Sequence, residues 1–254
     1  MLDSVRIHAH AFSIQKEARS LLESSAITKR YGTMTALDRV TLCLEPGHSY
    51  AMLGPNGSGK TTWMKLAADL LLPTSGKMLL DGEPVSKQTR GKVAYMSTEN
   101  FLYSWMSVRD VGLYFKRFFP DYDLDLFEQS VAYMELRPDM KMRMLSSGMM
   151  AKLKVAATLA RHAKVYLFDE PFNGIDLIAR DDIATMILHQ LTPQTVMVLS
   201  SHLVEELEAV TDRAVFMRNG KVLAVSSNEE LRERGITMAD AYREVYGMRG
   251  RLIQ

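Results

Sequence analysis

The chain has 254 residues, 47% of them hydrophobic and 24% charged, which is enough material for a sizeable core. Its 31 basic and 30 acidic residues leave a net charge of +1, so it carries no electrostatic footprint for nucleic acid or an anionic membrane. No apolar run approaches the roughly 20 residues that cross a bilayer, residues 1–20 lack the apolar core of a secretory signal, and the single cysteine, Cys43, excludes an internal disulfide. The expectation is a chain soluble by itself in a reducing cytosol. Any membrane process it serves needs another chain to supply the pore.

In chain order, residues 1–20 show weak periodicity and read as an N-terminal extension: a short helix, a disordered arm or a misassigned start. Short strands are predicted at 21–27, 36–44, 49–53 and 78–80, separated by the turn signals Tyr31-Gly32, Glu45-Pro46-Gly47 and Asp81-Gly82. Residues 63–72 read as a helix and 92–96 as a strand. From 101 to 163 the texture is helical, with apolar residues at helical spacing in 108–119 and 124–134, breaks at Pro120 and Pro138, and a further helix at 150–163. Strands return at 165–168, 196–200 and 214–217, alternating with helices predicted at 177–190 and 203–210. Asn228 is the expected cap of a helix beginning within 226–231, and 238–246 reads as a last helix. Short apolar strands alternating with helices imply an α/β fold with a mainly parallel sheet covered on both faces. One domain is expected over 21–254, with a helical lobe inserted at about 101–163.

The segment Gly54-Pro55-Asn56-Gly57-Ser58-Gly59-Lys60-Thr61-Thr62 follows a strand and opens a helix, the context that the phosphate-binding pattern G-x-x-x-x-G-K-[ST] requires. Its glycines let backbone N–H groups converge on phosphate oxygens, and the helix N-terminus adds its dipole. Lys60 is placed to reach the β- and γ-phosphates, Thr61 to put its hydroxyl on Mg²⁺, and Thr62 to bond the α-phosphate. A second element is the apolar strand ending in Asp169-Glu170. An acid at that place holds the water shell of Mg²⁺ in P-loop proteins, which fits Asp169. Glu170 could accept a proton from attacking water. These two elements leave motor ATPases and small-molecule kinases both open.

Four further segments carry a family resemblance. Leu145-Ser146-Ser147-Gly148-Met149 resembles the LSGGQ signature of ATP-binding cassette (ABC) ATPases, which kinases lack. Asn173-Gly174-Ile175-Asp176 resembles the D-loop of that family, and Leu199-Ser200-Ser201-His202 its switch-histidine segment. Lys29-Arg30-Tyr31-Gly32 looks like its aromatic A-loop, with Tyr31 stacking on adenine. With the two phosphate elements, these stand in family order across residues 21 to about 225. The resemblance implies a P-loop NTPase core with a mainly parallel sheet, an antiparallel β lobe and the inserted helical lobe. It also implies ATP and Mg²⁺ as cofactors, a transmembrane permease subunit and a second ABC ATPase chain as partners, and a peripheral position on the cytoplasmic face of the membrane. In such a pair, ATP lies between one chain's P-loop and the other's signature. Ser146 and the backbone at Gly148 contact the γ-phosphate held by the partner, Glu170 polarises the water, and His202 holds the γ-phosphate and positions Glu170.

The sequence departs from the family at two places. Thr98 stands where a glutamine usually touches Mg²⁺ and faces the membrane subunit, so Thr98 is the candidate metal neighbour there, with a shorter side chain. The signature has Ser147 for glycine and Met149 for glutamine. A tolerated lineage variant and a weakened site in a heterodimer both account for this. The aromatic segment from Phe101 to Val108 fits either core packing of the lobe or a groove receiving the membrane protein. Phe118-Phe119-Pro120-Asp121-Tyr122-Asp123 and the signature ending in Met149 look like ATPases of bacterial ABC-2-type exporters. The leading reading is the ATPase subunit of an exporter. The alternative is a soluble ABC ATPase in translation or DNA repair, which usually has two cassettes or a long coiled-coil insertion.

Overall fold

The computed structural model of the chain describes residues 20–247. The expected extension at 1–20 falls outside them except for Ser20. In chain order the N-terminal part runs β1 (Leu22–Tyr31), β2 (Met34–Leu44), β3 (His48–Leu53), α1 (Lys60–Ala67), β4 (Ser75–Leu80), β5 (Glu83–Pro84) and β6 (Val93–Met96). The helical lobe follows with α2 (Val108–Phe118), α3 (Leu124–Tyr133) and α4 (Ser147–Leu159). The chain then returns through β7 (Val165–Asp169), α5 (Leu177–His189), β8 (Val196–Ser201), β9 (Arg213–Arg218), β10 (Lys221–Ser227), α6 (Asn228–Glu233) and α7 (Met238–Val245).

Two sheets result. One is antiparallel, in the order β2-β1-β4-β5. The other has the order β10-β9-β3-β8-β7-β6, parallel except for β10, which pairs antiparallel with β9 at the edge. The central strands are apolar throughout because both faces are covered. Their side chains alternate between two cores. Ala51, Leu53, Tyr166, Phe168, Met197 and Leu199 face the helical lobe and α5. Tyr50, Met52, Val165, Leu167, Val196 and Val198 face α1 and the antiparallel sheet. A one-residue slip of any central strand would exchange its two faces, so its register is strongly specified.

Local chemistry starts the helices of the lobe. Ser107 and Asp110 form a reciprocal capping box on α2, Asp123 caps α3, and Ser146 accepts the Met149 N–H to cap α4. Arg161 ties the lobe to the core. Its Nε donates to Asp121 at 2.6 Å, its Nη2 to the Gly91 carbonyl at 3.0 Å, and its guanidinium lies 4.0 Å over the Phe119 ring. Several methionines, among them Met52, Met64, Met96 and Met197, fill core positions.

Three expectations need correction. The helix predicted at 203–210 is a 3₁₀ turn at Val204–Glu206 followed by turns. Val204, Leu207 and Val210 all face the core at three-residue spacing, which suits i+3 bonds such as Leu207 N–H to the Val204 carbonyl. The cap of α6 is Ser227, not Asn228, because the Ser227 hydroxyl and the Glu230 carboxylate close a capping box. Asn228 instead donates from Nδ2 to the Thr211 carbonyl at 2.6 Å. The helices expected to begin at 63 and 150 begin at Lys60 and Ser147, since each motif itself supplies the first helical turn.

Candidate functional site

The site stands at the C-terminal ends of β3, β7 and β8, where loops leave a parallel sheet. The P-loop runs from β3 into α1, and two of its glycines are demanded by packing. A Cβ on Gly54 would run into the Met217 carbonyl and lie 2.7 Å from Ser58 Oγ. A Cβ on Gly59, at φ +109°, would lie 2.7 Å from Leu37 Cδ2 and 2.9 Å from the Ala36 carbonyl. Pro55 and Ser58 close the loop, with Ser58 N–H on the Pro55 carbonyl at 3.1 Å, while Asn56 and Gly57 are exposed at its crest. Lys60 is buried and folds back over the loop, its ammonium donating to the Gly54 carbonyl at 2.7 Å. Burial pulls its pKa down, and the nearby Glu170 and Asp169 charges push it back up. Ser58 Oγ is buried and has no partner. A glycine-rich loop at a helix start, with a buried lysine and an orphaned hydroxyl, fits a phosphate chain. Thr62 is half-buried on the first turn of α1.

Asp169 is fully buried and held by three hydroxyls. Its Oδ1 accepts from Thr61 Oγ1 at 3.1 Å and from Ser200 Oγ at 2.7 Å, and its Oδ2 from the Tyr95 hydroxyl at 3.3 Å. The sheet register brings this about: Asp169 lies opposite Ser200 on β8, and Tyr95 comes from β6 on the other side. Burial and the Asp169 charge raise the Tyr95 phenol above its usual pKa, so it stays a donor. Glu170 follows with φ +53°, a left-handed conformation uncommon for glutamate and of the kind that clusters at functional sites. Ser200 Oγ accepts its N–H at 3.0 Å, Lys60 Nζ lies 4.0 Å from its Oε1, and His202 Nδ1 is 2.9 Å from its Oε2. Thr61, Asp169, Glu170, Lys60 and His202 therefore lie together in one cluster. Sequence reading missed Tyr95 and the bridging role of Ser200; parallel register alone would have found Ser200.

Other expected residues stand apart from this cluster. Tyr31 is exposed at the tip of the β1–β2 hairpin, with Lys29 Nζ 5.1 Å over its ring. That hairpin leads into Ala36 and Leu37, which pack on Gly59, and Gly220 N–H bonds the Ser58 carbonyl at 3.0 Å. Ser146 is exposed at the start of α4, and Ser147 Oγ donates to the Gly174 carbonyl at 3.3 Å, joining signature and D-loop within the chain. Gly148 has no internal need to be glycine. A Cβ there would come no closer than 3.5 Å to the Gly174 carbonyl. Thr98 is exposed, and its carbonyl accepts from Lys154 Nζ at 3.0 Å. Of the aromatic run, Phe101, Tyr103 and Trp105 are exposed while Leu102 and Met106 are buried, so the segment serves core and surface alternately.

The family pattern described as "ABC transporter" matches residues 37–173. The chain belongs to the ABC transporter family. It is an ATPase of the cassette kind, and it binds nucleotide. It is similar to the ABC transporter ATP-binding protein YtrB of Bacillus subtilis, with 27% identity over 87% of this chain and 77% of that protein. It is 30% identical to the Nod factor export ATP-binding protein I of Cupriavidus metallidurans, over 88% of this chain and 77% of the relative. The fold matches a solved ATP-binding subunit of an ABC transporter at a TM-score of 0.80 and 23% identity, covering 89% of this chain and all of the other.

Proposed function

We propose that the chain powers an exporter as one of two cassettes bound to a transmembrane permease at the cytoplasmic face of a membrane. The observation that carries this reading is the split site. The P-loop, Asp169, Glu170 and His202 converge, whereas Ser146 stands exposed and Gly148 half-buried, with no neighbour among the described residues close enough to explain the glycine. A phosphate approaching α4 from a second cassette would use the bare backbone there and the N-terminal dipole of the helix. The Nod factor export relative supports the direction of transport. The exposed faces of Phe101, Tyr103 and Trp105, with Tyr103 and Trp105 stacked at 5.8 Å, suit a docked helix of the permease. Among the described residues no helix is long and apolar enough to cross a membrane, so the path for cargo would belong to that partner.

Lys60 would exchange the Gly54 carbonyl for phosphate oxygens, and Ser58 Oγ would gain the partner it lacks. No group of three or more His, Cys, Asp or Glu side chains that could hold a metal occurs among the described residues, so a cation here would rest on few protein ligands and the phosphates. Thr61 and Asp169 would hold Mg²⁺, with Thr98 near it, and bound Mg²⁺ would offset charge on the phosphate oxygens. Glu170 takes the proton from the water whose oxygen bonds to the γ-phosphorus, while the bond from that phosphorus to the β–γ bridging oxygen breaks and ADP leaves. His202, bonded through Nδ1, fixes the orientation of Glu170. Tyr31 would stack on the adenine.

Phosphate release by the full chain tests the reading. Glu170→Gln should lower kcat by about a hundredfold or more while ATP binding persists, since it removes the base and leaves the cradle. Parental turnover in Glu170→Gln refutes the role of Glu170. Recovery of the chain from membranes without a polytopic partner refutes the assembly.

A further inference from the structure

Lys154 lies in the second half of α4, 7% exposed, on a helix whose other end carries Ser146 and Gly148. Its ammonium meets three consecutive main-chain carbonyls of the loop after β6: Ser97 at 3.1 Å, Thr98 at 3.0 Å and Glu99 at 2.7 Å. An ammonium has three donors and no acceptor, so this cage uses it completely. Among the described residues no carboxylate takes the charge directly. The Glu99 side chain turns away to Lys65 Nζ on α1, at 2.9 Å. The loop is therefore fastened on two sides, to the P-loop helix through an exposed pair and to the signature helix through a buried cation. Exposed pairs contribute little, so the buried cation is the stronger anchor.

The loop joins two parts of the molecule with different work. Two residues before it, Tyr95 donates to Asp169. Two residues after it, Phe101 begins the exposed aromatic face, and Lys154 Nζ lies 5.8 Å from that ring. Thr98, at the centre, is exposed and engages Lys154 through its carbonyl. The main chain, not a long side chain at 98, is what the fold grips.

We propose that Lys154 is a positioning residue that locks the main chain of residues 97–99 to α4, so that the loop between Tyr95 and the aromatic face keeps its shape and moves with the signature helix. This rests on the transport-ATPase reading for its purpose, but the lock itself is testable without turnover. Burial disfavours the charge on Lys154, and the carbonyl dipoles of the loop offset that cost only while the loop keeps this shape. The loop and the cation therefore hold each other.

The test uses the full chain with MgATP, amide-exchange mass spectrometry and phosphate release. Lys154→Met keeps the length and apolar stem and removes the donors. It should speed exchange across residues 97–103 by about tenfold and lower kcat by about tenfold, with KM for ATP within about twofold, because the P-loop contacts are untouched. Lys154→Arg keeps the charge on a planar head that can serve two of the carbonyls, and should lose about threefold in each. Unchanged exchange in Lys154→Met overturns the lock, and so does a rise in KM with kcat unchanged. Should Lys154→Met fail to fold, parental exchange and kcat in Lys154→Arg overturn it alone. A parental chain that releases no phosphate at all defeats the ATPase reading instead, while the exchange result still decides the lock.

Discussion

Replacing Gly148 by alanine separates what the signature does for the fold from what it does for ATP. Gly148 is the second residue of α4, its backbone is ordinary helix, and an added Cβ comes nearest the Gly174 carbonyl at 3.5 Å and Ile175 Cα at 3.8 Å, normal contacts. Alanine there gains helix propensity of about 0.5–1 kcal/mol. For a domain of this size that raises Tm by about 1–4 °C. Gly59 is the contrast: at φ +109° with Leu37 Cδ2 at 2.7 Å, an alanine must both strain the backbone and displace a neighbour. If a phosphate on a second cassette must approach the bare backbone at 148, the same methyl that stabilises the single chain obstructs the assembled site. Loss of one such contact costs about tenfold or more in kcat. Thermal unfolding and steady-state phosphate release on the same preparation read both effects. A fall in Tm, or parental turnover in Gly148→Ala, would sink the reasoning.

Two other outcomes concern stability. Tyr122 is buried among Phe115 and Phe127 with its hydroxyl unpartnered, so Tyr122→Phe should stabilise the chain by about 1–3 kcal/mol in a urea titration, and a loss of more than about 1 kcal/mol would mean the hydroxyl is satisfied. Tyr50 accepts the Glu45 N–H, and burial pushes its pKa to about 12. The folded state then keeps a proton that the unfolded chain loses near pH 10, so this contribution is full below pH 10 and falls by about 3 kcal/mol as the pH rises to about 12. Tyr50→Phe should flatten that part of the alkaline stability profile; an unchanged slope would refute the assignment.

Much of the site was legible because phosphate chemistry constrains short local strings. The P-loop needs glycine at fixed offsets from a lysine at a helix start, and each requirement is met within nine residues. The acid pair at the end of β7 is equally local. The misread parts depend on distant neighbours. Residues 203–210 have apolar spacing that a helix or a 3₁₀ turn can satisfy, and only the core beneath them decides between the two. Asn228 and Ser227 are both good caps; the choice went to Ser227 because Glu230 could answer it while Asn228 reached Thr211. The aromatic run after Asn100 could not be divided into buried and exposed members until Leu102 and Met106 were seen to point into the lobe.

The sequence by itself determined the candidate nucleotide loop, most of the strands and helices, and the family resemblance, since these rest on residue types at short fixed spacings; β5, β10 and the 3₁₀ turn at Val204–Glu206 were not read from it. Tertiary structure decided what surrounds the loop. Parallel register put Ser200 and Tyr95 on Asp169, residues 31 positions ahead and 74 behind it. Helix packing brought Lys154 to carbonyls more than fifty residues earlier in the chain. It also left Gly148 without an internal neighbour that requires glycine. Hydrogen bonds of that kind are set by which elements lie side by side, and no local pattern records them.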